Sequence, residues 1–291
     1  MNLNTNEDSC EVLENEIADL ELRLRRAKER LAKSKPANSQ LTILSSPSTQ
    51  SAHHYLLLLS DSALPLGSFA FSSGLESYLA HTRRTRSSSA ATSSFSSFLP
   101  LSLSSYASTT LPFVLAAHRD PDPGNVAILD DTLDAAIICT VGHRASVAQG
   151  RALLSIWEKS IASTVDPEAR LKPFSDMLRA SSRSEGLPTV SAHLGPLFGA
   201  VAALCGLTLR QTSYVFMLSH VKALVSAAVR AGQFGPYHAQ KILASAEVQT
   251  YLLAAIEREW CTPVEEAGQM VPVMDLWIGR HELLYSRIFN S

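Results

Sequence analysis

The sequence is poor in the residue patterns that carry chemistry. Its four cysteines, Cys10, Cys139, Cys205 and Cys261, are widely spaced and form no CxxC pair, which excludes a compact zinc knuckle or a thioredoxin-like redox pair and makes a disulfide framework unexpected. Cys139 and Cys205 lie in apolar stretches, where a thiol behaves as a small hydrophobe. The formal charge is −2, without the basic excess of a nucleic-acid scaffold. Apolar runs such as Leu197–Leu209 fall short of the ~20 residues that span a bilayer. The N-terminus is acidic and polar, unlike a secretory signal. Cytoplasm is the expected compartment, with no membrane and no nucleic acid as partners.

Catalytic signatures are equally scarce. A GxxxxGK[ST] phosphate cradle, a GxGxxG turn and a Gly-x-Ser-x-Gly elbow are all missing. His281-Glu282 begins like a zincin motif, but Tyr285 stands where the second histidine would be needed. Ser219 to Lys222 has the SxxK spacing of a serine acyl-enzyme without its companion motifs, so helical spacing accounts for it and a Ser/Lys hydrolase is a remote alternative. The adjacent His53-His54 could in principle ligate a metal but does not converge on one face, and His143, His193 and His220, beside apolar runs, read as hydrogen-bonded core or interface histidines. The residues predict no catalytic centre, no bound cofactor and no metal ligands.

What the chain does have is helical periodicity. Residues 11 to 33 carry Leu13, Ile17, Leu20, Leu24, Ala27 and Leu31 at heptad spacing, acidic in the first half and basic in the second. A Ser/Pro/Asn linker follows, so residues 1–52 form an N-terminal heptad helix plus linker and residues 53–291 the folded domain. An adaptor acting through this coil is one functional alternative.

The most distinctive stretch runs from Leu56 to Glu76. An apolar helical turn enters Asp61-Ser62, a cap or turn pair. Pro65 and Gly67 demand special backbone angles, Phe69 and Phe71 bracket Ala70, and Ser72-Ser73-Gly74 starts a new helix. The pattern predicts helix, rigid loop, helix, with Asp61, Pro65, Gly67, Phe69 and Gly74 shaping the loop. Beyond it, a polar loop to about Ser94 leads into a Ser-faced helix that Pro100 is expected to kink or restart. Two helices around a Pro121–Gly124 break follow, the second with an apolar stripe from Leu133 to Trp157. Then come a short helix between loops, a buried helix ending by Gly206, an amphipathic helix over 211–230, and one helix from Tyr237 to Trp260. The expected fold is all-α, a single bundle-like domain of roughly eight to ten helices.

With loop and tail both read, the chain resembles the UreF family of urease accessory proteins, in a eukaryotic, fungal-type form. The markers are Ser60-Asp61-Ser62-Ala63-Leu64-Pro65-Leu66-Gly67-Ser68-Phe69 with Ser72-Ser73-Gly74-Leu75-Glu76, and the closing Arg280-His281-Glu282-Leu283-Leu284-Tyr285-Ser286-Arg287-Ile288-Phe289-Asn290-Ser291. The resemblance implies a non-enzymatic chaperone for nickel insertion. It would dimerise, bind the accessory protein UreD (also called UreH) and recruit the GTPase UreG to apo-urease. Nickel would be handled in transit, with GTP and Mg²⁺ held by the GTPase.

On this reading residues 275–291 are a docking tail, a segment that can order when its apolar side docks. Arg280, His281, Glu282, Tyr285, Arg287 and Phe289 are its candidate contacts. Arg287 leads, for its planar bidentate bonding, and Glu76 and Tyr78 are the second choice. For Tyr78, core packing with its hydroxyl satisfied is an equally available expectation; for the tail, a plain C-terminal helix packed on its own domain is the secondary alternative.

Overall fold

The computed structural model describes residues 49–82, 91–165, 171–181, 183 and 189–290, within a compact unit spanning Ser46–Ser291. The heptad segment at 11–33 and its linker lie outside the described residues. Among those described there are eleven helices and no strand, an all-α fold. They are α1 (Thr49–Ser60), α2 (Leu75–Thr82), α3 (Ala91–Arg119), α4 (Pro123–Ala136), α5 (Thr140–Ile156), α6 (Lys172–Ser181), α7 (Leu194–Leu204), α8 (Leu209–Arg230), α9 (Pro236–Leu243), α10 (Ala246–Glu259) and α11 (Val273–Arg280). A π turn (Trp157–Ile161) and one further helical turn continue α5 to Val165.

The bundle is built around α3, which packs against α4, α7, α8 and α10. Small residues set the closest approach. A Cβ on Gly199 of α7 would lie 2.2 Å from the Val114 carbonyl of α3, and one on Gly195 would lie 2.9 Å from Thr110 Cγ2. The two backbones therefore touch, and α7 is buried from Leu194 to Ala202. Helix α8 is long and apolar enough to cross a membrane by length and composition, but 56% of that window is buried inside the domain. Part of its polar surface is internal as well, with Thr212, Ser213 and His220 buried.

Three expectations about helix boundaries are corrected. The helix does not restart at Pro100, because α3 continues through both Pro100 and Pro112. Proline removes the bond to the carbonyl four residues back; for Pro112 that is Ser108, whose oxygen instead accepts the Gly268 amide at 3.1 Å. The broken bond is thus replaced by one that straps the 264–270 segment onto α3. The stripe from Leu133 to Trp157 belongs to two helices, α4 and α5, separated at 137–139. The single helix over Tyr237–Trp260 is likewise two, because Ser245 caps α10 by accepting the Val248 amide.

The serine face of α3 does not look outward. Ser102, Ser105 and Ser108 are buried, and Ser102, Ser105, Thr109 and Thr110 line a partly open pocket of about 510 Å³ that Ser68, Ser146, Gln149 and Ser219 also face. Beside it the Tyr106 ring stacks on His220, with centroids 4.0 Å apart. His220 Nε2 lies 3.0 Å from Ser102 Oγ. Burial pushes the His220 pKa down to about 3, so the ring is neutral at physiological pH.

Candidate functional site: a latched tail and its outward face

Between α1 and α2 the loop is shaped as its residues require. Asp61 Oδ1 accepts the Ala63 amide at 2.9 Å, an Asx turn, and Lys222 Nζ donates to the Ser60 carbonyl at 2.6 Å. That bond ties Lys222 to the C-terminus of α1, a helix-capping duty, and leaves the SxxK spacing without catalytic support. Gly67, at φ +72°, turns the chain into a short 3₁₀ turn over Ser68–Ala70. Ser68 Oγ then donates to Gln149 Oε1 at 2.7 Å. Pro65 is exposed, and the Phe69 ring is 68% exposed.

Gly74, at φ +85°, opens α2 against α11, where a Cβ would meet the Ile278 backbone nitrogen at 3.1 Å. This close approach brings Glu76 under the C-terminal tail. Its carboxylate accepts three hydrogen bonds: His281 Nε2 at 3.0 Å, the Ile288 amide at 2.7 Å and the Phe289 amide at 3.2 Å. The Asn290 amide donates to the Ala70 carbonyl at 2.8 Å, tying the tail to the loop as well. Phe289 is buried, with the Arg230 guanidinium 4.4 Å from its ring centroid, and Arg230 also donates to the Phe69 carbonyl. Tyr78 packs between Phe98 and Trp277, at 5.1 and 5.5 Å.

The candidate contact residues therefore divide. Glu76, His281 and Phe289 face inward and hold the tail to its own domain, and Tyr78 is half-buried in the aromatic cluster. Arg280, Glu282, Tyr285 and Arg287 face solvent. Glu282 pairs with Arg144 of α5, and that hydrogen bond, reinforced by the Arg144 charge, lowers its pKa. Large apolar side chains are exposed alongside. Met270, Leu276, Leu283, Tyr285 and Ile288 all lie on α11 or its flanking segments, and Phe69 lies on the loop. A concentration of exposed apolar residues around ordered charges is the composition of a protein interaction surface.

A second polar constellation sits on α4, α5 and the segment leading into α7. Asp130 is fully buried and accepts the amides of Ser191, Ala192 and His193 at 2.6, 3.0 and 2.5 Å. Asp134, one turn further along α4, accepts from His143 Nε2 at 2.8 Å and His193 Nε2 at 3.0 Å through the same oxygen. Burial works against the Asp134 charge, but hydrogen bonds from Ser191, His193 and His143, with the His143 charge, hold its pKa down to about 2. Burial lowers the His193 pKa, outweighing the pull of Asp134. Both histidines are hydrogen-bonded, as their apolar neighbourhoods predict, but their shared partner is not evident from the sequence. The available signal was Asp130 and Asp134 at i,i+4 on an otherwise apolar helix face.

Helical packing, a latched tail and an apolar, charged outer face are what this side of the molecule presents. The UreF family model matches residues 90–247. The chain is 37% identical over 243 residues to a Schizosaccharomyces pombe protein described as an uncharacterized urease accessory protein UreF-like, covering 84% of this chain and 99% of that one. It is 32% identical over 235 residues to urease accessory protein F of Oryza sativa subsp. indica, covering 79% and 82%. It is 29% identical over 233 residues to urease accessory protein UreF of Paenarthrobacter aurescens, covering 80% and 95%. The chain belongs to the UreF family of urease accessory proteins.

Proposed function

We propose that this chain is a non-enzymatic docking scaffold in urease maturation. It binds a UreD-like (UreH-like) accessory protein and, with it, recruits a UreG-like GTPase to apo-urease, so that GTP hydrolysis is coupled to nickel insertion. The working form is a homodimer within that complex. Nickel passes through the assembly as cargo, while GTP and Mg²⁺ belong to the GTPase.

The observation that carries this reading is the two-sided tail. Glu76 and the buried Phe289 fix its inner side, so Tyr285, Arg287 and Ile288 are presented outward on an ordered backbone. A pre-ordered tail avoids the cost of ordering a flexible one at the moment of binding. A scaffold of this kind acts without chemistry of its own, because a surface that prefers one partner state shifts that state's population.

The test is co-purification of the full chain with UreD-like and UreG-like partners, repeated with residues 280–291 removed. The full chain is expected to form the complex, and the truncated chain to lose the GTPase. Retention of both partners by the truncated chain would refute the tail's role.

A further inference from the structure

Asp134, His143 and His193 come from three different segments, yet they aim at one point. One donor atom from each of the three lies within 4.8 Å of the others, and Asp134 Oδ1 faces the Nε2 of both histidines. We propose that these three side chains form a binding site for a divalent transition-metal ion of the nickel or zinc class.

The spacing fits. With metal–ligand bonds of about 2.0–2.1 Å, neighbouring donor atoms on one ion sit about 3 Å apart; the two Oδ1···Nε2 separations here are 2.8 and 3.0 Å. Two imidazoles and one carboxylate suit nickel, zinc or iron and disfavour calcium and magnesium, which take all-oxygen sets.

The surroundings are those of a prepared site. His193 Nδ1 lies 3.0 Å from Ser146 Oγ. When Nε2 turns to the metal, the imidazole proton moves to Nδ1 and is donated to that hydroxyl, the outer hydrogen bond that orients a ligating histidine. The segment carrying His193 is held in place at a cost. Ala192 has φ +71°, a strained value for a residue with a side chain, and the buried Asp130 carboxylate holds it by three backbone amides. Gly150 of α5 makes room, since a Cβ there would lie 2.1 Å from the Ala192 carbonyl.

Access is one-sided. The His193 side chain is fully buried, whereas those of Asp134 and His143 are 38% and 32% exposed, leaving the solvent side for water or a delivering ligand. Ser146 also lines the hydroxyl-rich pocket, as do Leu133, Gly142 and Leu194, the sequence neighbours of the three donors. The proposal stands on donor geometry and does not depend on the partner assignments above.

The experiment is calorimetric titration of the untagged, metal-stripped full chain with NiCl₂ and, separately, ZnCl₂, with CoCl₂ absorption as the spectroscopic readout. One equivalent per chain is expected to bind, with Co²⁺ d–d bands and no thiolate charge-transfer band. His143→Ala and Asp134→Asn, each checked for an unchanged circular dichroism spectrum, are expected to abolish the stoichiometric event. Ser146→Ala should weaken it roughly 10-fold. Absence of stoichiometric binding by the natural chain, unchanged affinity in a folded His143 or Asp134 variant, or a thiolate signature would overturn the site. Because no partner protein is present, failure here leaves the scaffold reading to its own test.

Discussion

Glu76 and Asp134 each face a buried histidine at 3.0 Å, yet the two carboxylates do different work. Glu76 spends both oxygens on the tail, taking two main-chain amides as well as His281, and its side chain is 10% exposed. Asp134 gathers imidazoles on one oxygen and stays 38% exposed. A carboxylate filled by backbone donors is a latch, because moving it unpairs main-chain groups that are costly to leave bare. One filled by side-chain tips can exchange them, because a neutral imidazole can move its proton to the other nitrogen. The same residue pairing thus gives a fixed tail in one place and a candidate ligand set in the other.

The comparison can be broken at either end. Phe289→Ala should have the largest effect, about 2–3 kcal/mol lost in urea denaturation, with hydrogen exchange at the Ile288 and Phe289 amides becoming fast. Gly150→Ala drives a Cβ into the Ala192 carbonyl and should cost about 1–3 kcal/mol, loosening the 191–193 segment while the tail amides stay protected. Glu76→Gln keeps the shape but weakens charge-assisted bonds. It should cost about 1.5 kcal/mol and accelerate exchange in the tail alone.

A smaller effect comes from the pocket wall. The folded pKa of His220 is depressed to about 3 from an ordinary 6.5, so between those values the unfolded chain binds the extra proton. His220 favours folding fully above pH 6.5, and that contribution falls as pH drops toward 3, by roughly 1 kcal/mol per pH unit. Buried His193 and half-buried His118, whose pKa values are also lowered by burial, push the same way. Stability measured from pH 7 to pH 5 should therefore decline, and His220→Phe should flatten the slope. An equal slope in that variant would mean other groups carry the dependence.

Much of the helical layout was legible because local rules agreed with the tertiary ones. Gly206 and Gly232 carry positive φ at the ends of α7 and α8, and the capping box of Thr208 with Gln211 starts α8. The loop residues Asp61, Gly67 and Gly74 adopt the geometries that their side chains, or lack of them, suggest. The break at Ser245 carried a local signal, an N-cap residue inside an apolar pattern. Passage of α3 through Pro112 carried none, since the compensating bond comes from Gly268, far away in sequence. The pairings within the two carboxylate constellations were hidden for the same reason, although their members were individually visible. Glu76 meets residues more than 200 positions away, and His193 meets α4 across 59, separations that no periodicity encodes.

The central claim is that this chain contributes an ordered surface and leaves nucleotide chemistry to a partner. The most direct test is urease activation from purified components with Arg287→Ala, an outward-facing change. The account predicts an unchanged circular dichroism spectrum and melting curve together with loss of GTPase recruitment and of active urease. Normal recruitment and normal nickel loading by that variant would contradict it.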